Sequence, residues 1–79
     1  MDDKIIKKII DITSNQLGIP KEELSLEVDF VKDLNLQKVE IADLALTVEH
    51  EFQITLPPER IAEINTLEDL VTLVSDNLL

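Results

Sequence analysis

The sequence has 79 residues and a formal net charge of −10, from seven basic and seventeen acidic side chains. With 44% hydrophobic residues it can form one small core, so we expect a single domain over residues 1–79. The charge argues against nucleic acid as a partner, because phosphate backbones are bound by Lys and Arg. We find no apolar run of a membrane span, no secretory signal pattern and no cysteine, and therefore expect a cytoplasmic protein.

The first predicted helix covers about residues 3–17. Its apolar side chains repeat at helical spacing in two neighbouring rows, which are Ile5, Ile9 and Ile12, and Ile6, Ile10 and Leu17. Gly18 suits the left-handed conformation that closes a helix, and Pro20 prevents the helix from continuing.

Residues 19–36 have no sustained period. Their apolar side chains alternate loosely, as in a strand, but a single strand would have no partner. We therefore predict a long ordered loop with a turn near residues 20–24, held in place by its apolar side chains.

A second helix is predicted from about Leu36 to Phe52, with Asn35 as its candidate cap. Its apolar face is a row of Val39, Ala42 and Leu46, widened by Ile41, Leu44, Ala45, Val48 and Phe52. The opposite face is a polar stripe of Glu40, Asp43, Thr47 and Glu51. The exposed side of this helix is therefore predicted to be acidic.

Two further helices complete the predicted fold. Pro57 and Pro58 begin a short helical segment over residues 59–64. Thr66 and Asp69 resemble a capping box, followed by a helix over about residues 67–78. The prediction is an all-α fold, a small four-helix bundle with three main helices, a short third helix and a long ordered loop between the first two.

The residues that usually carry catalysis are scarce. The chain has one His, no Cys and no Tyr, and His50 is expected to be a solvent-exposed surface group. A calcium loop beginning at Asp33 fails, because Lys38 and Leu44 replace its essential Gly and Glu. We predict neither enzymatic activity nor a metal site.

Five short segments follow one another in order along the chain. They are Leu17-Gly18-Ile19, Phe30-Val31-x-Asp33-Leu34, Glu49-x-Glu51-Phe52, Ile54-x-Leu56-Pro57 and Ile64-Asn65-Thr66-Leu67. In this order the segments resemble the acyl carrier proteins of dissociated fatty-acid and polyketide synthesis. The resemblance covers nearly the whole chain and implies the same four-helix fold.

The resemblance breaks at the residue that defines the family's chemistry. Those proteins carry 4′-phosphopantetheine on the serine of an Asp-Ser-Leu motif at the start of the second helix. The corresponding residues here are Gln37, Lys38 and Val39, and no Ser or Thr lies between Ser25 and Thr47. The attachment is a phosphodiester and needs an oxygen nucleophile, which an ammonium group does not supply. We therefore expect no cofactor, with phosphopantetheine present only if the attachment site is an unusual one.

Two interpretations of Lys38 remain open. A cation in the first turn of a helix opposes the macrodipole and costs about 0.3–1 kcal/mol. The lysine is either the product of drift after the serine was no longer needed, or it contacts a partner group or occupies the place where a phosphopantetheine would otherwise be.

The resemblance also implies a recognition surface. In the family, acidic residues of the second helix dock on basic patches of enzymes, and Glu40, Asp43 and Glu49 match those positions. With Lys38 they are the candidate partner-binding residues. The family also encloses acyl chains, and the matching lining would be Ile41, Leu44, Ala45, Val48, Ile61 and Leu70; the simpler interpretation of these six is ordinary core.

Three hypotheses follow. The first is a monomeric carrier-like interaction module that docks to a basic surface of an enzyme or regulator of acyl metabolism. The second is a working acyl carrier with a variant attachment site. The third is an unrelated acidic helical adaptor that shares only the bundle pattern.

Overall fold

Four helices follow one another along residues 2–78, the part of the chain that this computed structural model describes. They are α1 (Asp3–Leu17), α2 (Lys38–Phe52), α3 (Pro58–Ile61) and α4 (Leu67–Asp76), with a 3₁₀ turn at Lys21–Glu23 in the loop after α1. Within the described residues there is no β-strand, only an isolated bridge between Asp29 and Thr66. The predicted all-α fold is confirmed.

The ends of α1 are set by local hydrogen bonds. The Asp2 carboxylate accepts from the Lys4 N–H at 2.8 Å. At the other end Gly18 has φ 69°, and the N–H groups of Gly18 and Ile19 both donate to the Ser14 carbonyl. A residue with a side chain would be strained in this left-handed conformation, so Gly18 ends the helix as predicted.

Helix α2 begins later than predicted, at Lys38. Asn35 does not cap it, because Gln37 is the N-cap residue and Asn35 belongs to the preceding turn, where its N–H donates to the Val31 carbonyl. The chain becomes extended at Gln37 before the helix starts. There the Glu40 carboxylate accepts from the Gln37 N–H at 2.8 Å.

The predicted apolar face of α2 is in fact two faces. Ile41, Leu44, Ala45 and Val48 are buried, at the i, i+3, i+4 and i+7 spacing of one face. Val39 and Leu46 are 68% and 62% exposed, and Ala42 between them is also exposed. The prediction of one apolar face that joins Val39, Ala42 and Leu46 to the buried residues is therefore wrong, because a helix at the edge of a small bundle buries one face only.

The loop between α1 and α2 is ordered by backbone bonds to the start of α4. The carbonyls of Val28 and Leu26 accept from the N–H groups of Leu67 and Glu68, each at 3.0 Å. The first N–H groups of a helix have no partner within the helix, so these bonds satisfy two of them. Phe30, fully buried, anchors the same stretch.

The last two helices are shorter than the predicted ones. Helix α3 is a single turn that ends at Ile61, and α4 ends at Asp76. The predicted capping box at the start of α4 is confirmed. The Thr66 hydroxyl accepts from the Asp69 N–H at 3.1 Å, and the Asp69 carboxylate accepts from the N–H groups of Thr66 and Asn65 at 3.0 and 2.9 Å.

The Asp69 cap gives the fold a defined pH dependence. Partial burial raises the pKa of this carboxyl group, but the hydrogen bonds from Thr66 and Asn65 outweigh burial, so the pKa is lowered overall. The stabilisation is complete above the unfolded-state pKa of about 3.9 and is lost as pH falls through the folded-state pKa.

We predict that Asp69→Ala lowers the free energy of unfolding by about 1 kcal/mol at neutral pH. The difference from the parent should shrink as pH falls below about 4, since the parent then loses the same charge. Urea unfolding followed by circular dichroism measures both. Asp76→Ala, at the exposed end of the same helix, is the control and should change stability by less than about 0.5 kcal/mol. A deficit that stays constant down to pH 2 would contradict the role of the Asp69 charge.

Candidate functional site

Lys38 is the first residue of α2, and its side chain is exposed. The ion pairs found among residues 2–78 join Lys21 to Asp11 and Arg60 to Glu63. The Lys38 ammonium group therefore has no carboxylate partner in this part of the chain. It stands at the end of α2 where the unpaired N–H groups already produce a positive potential.

The acidic residues of α2 divide into free and engaged carboxylates. Asp43 and Glu51 are exposed, and neither side chain accepts a hydrogen bond from the described residues. Glu40 is also exposed, but its carboxylate is bonded to the Gln37 N–H. Glu40 and Asp43 lie together beside Val39, Ala42 and Leu46, whereas Lys38 lines a separate groove of the same helix together with Glu49.

Glu49 has a structural role that sequence reasoning missed. It is half-buried, and its carboxylate accepts from the Leu56 N–H at 2.7 Å. Because Leu56 lies just before α3, this bond ties the last turn of α2 to the connection between α2 and α3. Glu49 is therefore less available to a partner than Asp43.

Lys8 of α1 also contacts the C-terminal end of α2. Its ammonium group donates to the Glu51 carbonyl at 3.1 Å and lies 4.6 Å from the centre of the Phe52 ring. A cation at the end of a helix interacts favourably with the dipole and supplies a donor to a free carbonyl. No sequence pattern indicates this contact, since the two residues are 43 positions apart.

An apolar groove of about 670 Å³ lies between α2 and α3. Its apolar lining is Ile41, Ala42, Leu46, Leu56, Pro58, Ile61 and Ala62. Two charged side chains also reach it, Lys38 and Glu49, and the exposed Thr55 contributes a hydroxyl group. The groove therefore combines an apolar wall with one cation at the start of α2.

The residues that matched the family's acyl-chain lining fall into two groups. Ile41 and Ile61 line the groove. Leu44, Ala45, Val48 and Leu70 belong to the buried core, which is the simpler of the two interpretations given to them. Ala42 and Leu46 were missed as lining residues, and the signal was their separate i, i+3, i+7 row with Val39.

The remaining predictions concern His50, a metal site and a membrane span. His50 is exposed on α2, as expected for a surface histidine. Residues 2–78 contain no group of three His, Cys, Asp or Glu side chains placed to hold a metal ion. None of the described helices is long and apolar enough to cross a membrane.

Comparison with known proteins identifies the family. The family model described as "Phosphopantetheine attachment site" matches residues 7–74. The acyl carrier protein of Coprothermobacter proteolyticus is 34% identical over 96% of this chain and 93% of its own length. The chain belongs to the acyl carrier protein family.

Further relatives agree with this assignment. The acyl carrier protein of Petrotoga mobilis is 32% identical over 96% of this chain and 89% of its own. The crystal structure of an acyl carrier protein from Thermotoga maritima superposes with a TM-score of 0.81, at 31% identity, covering 95% of this chain and 87% of that one. The hypothesis of an unrelated helical adaptor is therefore wrong.

The hydrogen bond of Glu49 predicts that substitution of Glu49 destabilises the protein more than substitution of Glu51, which lies near it on α2. Glu49→Ala should lower the free energy of unfolding by about 1 kcal/mol, because the Leu56 N–H loses a charged acceptor. Glu51→Ala, with no side-chain hydrogen bond among the described residues, is the matched control and should change stability by less than about 0.5 kcal/mol. Urea unfolding at neutral pH measures both variants. Equal losses of stability in the two variants would show that the Glu49 carboxylate stabilises the fold no more than the Glu51 carboxylate does.

Proposed function

We propose that this member of the acyl carrier protein family is a single-domain interaction module of acyl metabolism that carries no phosphopantetheine. It docks on a basic surface of an enzyme or regulator through the acidic side of α2, and it has no enzymatic activity of its own. The observation that carries this proposal is Lys38 as the first residue of α2, the position at which the family resemblance locates the attachment serine. We further propose that it acts as a monomer in the cytoplasm, since ten net negative charges oppose the association of copies.

The side chains at the start of α2 do not fit the prosthetic group. Gln37, Lys38 and Val39 offer an amide, an ammonium group and an alkyl chain, none of which forms a phosphodiester. The hydroxyl group that lines the adjoining groove belongs to Thr55, which lies on the connection to α3 rather than at the start of a helix. Loss of attachment is thus the chemically simplest consequence of this sequence.

The charge distribution supports docking to a basic partner. Residues 39–79 contain nine acidic residues and Arg60 as the only basic one. On α2, Asp43 is free to meet a cation, and the exposed Val39 and Leu46 lie on the same helix. Charges of this kind accelerate association, and apolar contacts at the centre of an interface hold the complex together.

A second candidate function is that of a working acyl carrier with a variant attachment site. The observation that favours it is the family match itself, which covers residues 7–74 under a description that names the prosthetic group. The two functions differ in a covalent modification, so the mass of the protein separates them.

We predict that a broad-specificity phosphopantetheinyl transferase and coenzyme A leave the intact mass of the protein unchanged. The reason is that Lys38 supplies no oxygen nucleophile at the attachment position. Electrospray mass spectrometry of the intact chain makes the measurement. An increase of one phosphopantetheine unit, mapped to any residue, would overturn the proposal and establish the second candidate.

The positive control is a variant with the family motif restored, Gln37→Asp, Lys38→Ser and Val39→Leu. We expect this variant to be modified, because the helix and the exposed side of α2 stay in place. Its stability should hold or rise slightly, since an anion replaces a cation near the start of the helix. If the folded variant stays unmodified, the surface that a transferase recognises has changed as well.

The docking prediction uses a charge reversal that spares the capping bond at the start of α2. Asp43→Lys combined with Glu40→Gln keeps a side-chain acceptor for the Gln37 N–H while it removes the negative face. We expect association with the basic partner, first captured from native extract and then purified, to slow by about tenfold or more. The parent's association rate should fall as salt is added. Stopped-flow or surface-plasmon measurements give both rates.

The matched control makes the same charge change on the 3₁₀ turn, with Glu23→Lys and Glu22→Gln. Both side chains are exposed and lie outside α2. This control should reduce the association rate much less than the α2 variant does. If the two variants slow association equally, the net charge of the protein and not the face of α2 governs docking.

A further inference from the structure

We propose that α2 binds an amphipathic helix of the partner protein, which carries a carboxylate group opposite Lys38 and basic side chains opposite Asp43. This inference rests on the proposed function and goes further, because it gives the shape and the charge pattern of the partner. A surface with basic groups alone leaves Lys38 without a counter-charge. The observation that carries the inference is an exposed apolar row on α2, the α2 ridge of Val39, Ala42 and Leu46, which has opposite charges along its two sides.

The shape of the α2 ridge suits a helix. Val39 and Leu46 are the most exposed of the large apolar side chains among residues 2–78, and they lie about 10 Å apart along the helix axis. Ala42 lies between them, and its small side chain lets another helix approach closely. A groove runs along each side of the ridge, and Ala42 and Leu46 line both grooves. Helices pack in this way, with the side-chain ridges of one lying in the grooves of the other.

The charges on the two sides of the α2 ridge differ in sign. Lys38 lines the groove towards α3, whereas Glu40 and Asp43 line the groove of about 260 Å³ on the other side. Lys38 and Asp43 flank the ridge as positions g and e flank a and d in a heptad, where charges at g and e select the partner. Within residues 2–78 Lys38 has no ion-pair partner, and the Asp43 carboxylate accepts no hydrogen bond. Both charges are therefore free to select a helix.

The same charges favour a helix of another protein over a second copy of this chain. Each copy carries a net charge of −10, and the repulsion between two copies opposes their association. Two copies would also have to lie parallel, because in an antiparallel pair about a twofold axis Asp43 faces its own counterpart. A helix with more basic than acidic side chains is attracted by the protein as a whole, and its carboxylate neutralises Lys38.

The test uses the intact protein, verified by mass as unmodified, and two synthetic peptides of two heptads each, held helical by a lactam bridge. Both peptides have leucines at a and d and lysines along one side. The other side carries glutamates in the first peptide and glutamines in the second. Fluorescence anisotropy measures the affinities at peptide concentrations too low for self-association. Lys38→Gln should weaken binding of the glutamate peptide by about tenfold and change binding of the glutamine peptide by less than about twofold.

Matched variants make the result specific. Lys32→Gln removes an equal charge from an exposed loop lysine that lines neither groove, and it should change binding of the two peptides equally. Leu46→Glu should weaken both peptides by about tenfold or more, because it places a charge on the α2 ridge. Val31→Glu, at an exposed apolar position outside α2, should weaken them much less. Two-dimensional amide NMR of the parent should locate the shifts on α2.

Four results would overturn the inference. They are absence of saturable binding by either peptide, an equal effect of Lys38→Gln on the two peptides, binding that survives Leu46→Glu, and a dimer of the parent in sedimentation equilibrium that Leu46→Glu dissociates. The last result would assign the α2 ridge to a second copy of the chain. The proposed function is tested separately, by the mass of the protein and by the Asp43 variant with the captured partner. If that variant slows docking but the peptides fail, only the helical partner is rejected.

Discussion

The backbone bonds between residues 26–30 and the start of α4 decide how the rest of the molecule is arranged. They supply acceptors for N–H groups of α4 that have no partner within the helix, and they hold Phe30 in the core. The Phe30 carbonyl in turn accepts the Leu36 N–H at 2.9 Å, which ends the loop two residues before α2 begins. The loop that leads into Lys38 at the start of α2 is therefore joined to the start of α4.

This dependence explains which features were predictable from the sequence. Gly18, the Thr66–Asp69 cap and the proline residues act on their immediate neighbours, so the helices that they bound were predicted to within a few residues. The start of α2 was predicted two residues too early and its cap was assigned to Asn35, because Asn35 belongs to the turn before it and that loop is held by α4. The exposed Val39 and Leu46 were assigned to the core since periodicity alone does not say which of two apolar faces the bundle covers.

The carboxylates of α2 show why a candidate docking surface cannot be taken from charge alone. Glu40 and Glu49 each accept a backbone N–H, so they stabilise the start of the helix and the connection to α3. Asp43 has no such bond among the described residues. Substitution of Glu40 or Glu49 therefore removes a stabilising hydrogen bond as well as a charge. Substitution of Asp43 removes a charge alone and so tests binding without a change in folding. The candidate groove was only partly predictable for a similar reason, since Leu56 reaches it from a connection without a repeating pattern and Pro58 from the single turn of α3.

In our proposal, Lys38 leaves this family member without its prosthetic group in the cell. The most direct measurement is the intact mass of the protein purified from its native source without exposure to any added transferase. We predict a single species with the mass of the unmodified polypeptide. A species heavier by one phosphopantetheine unit, or by that unit with an acyl chain, would contradict it.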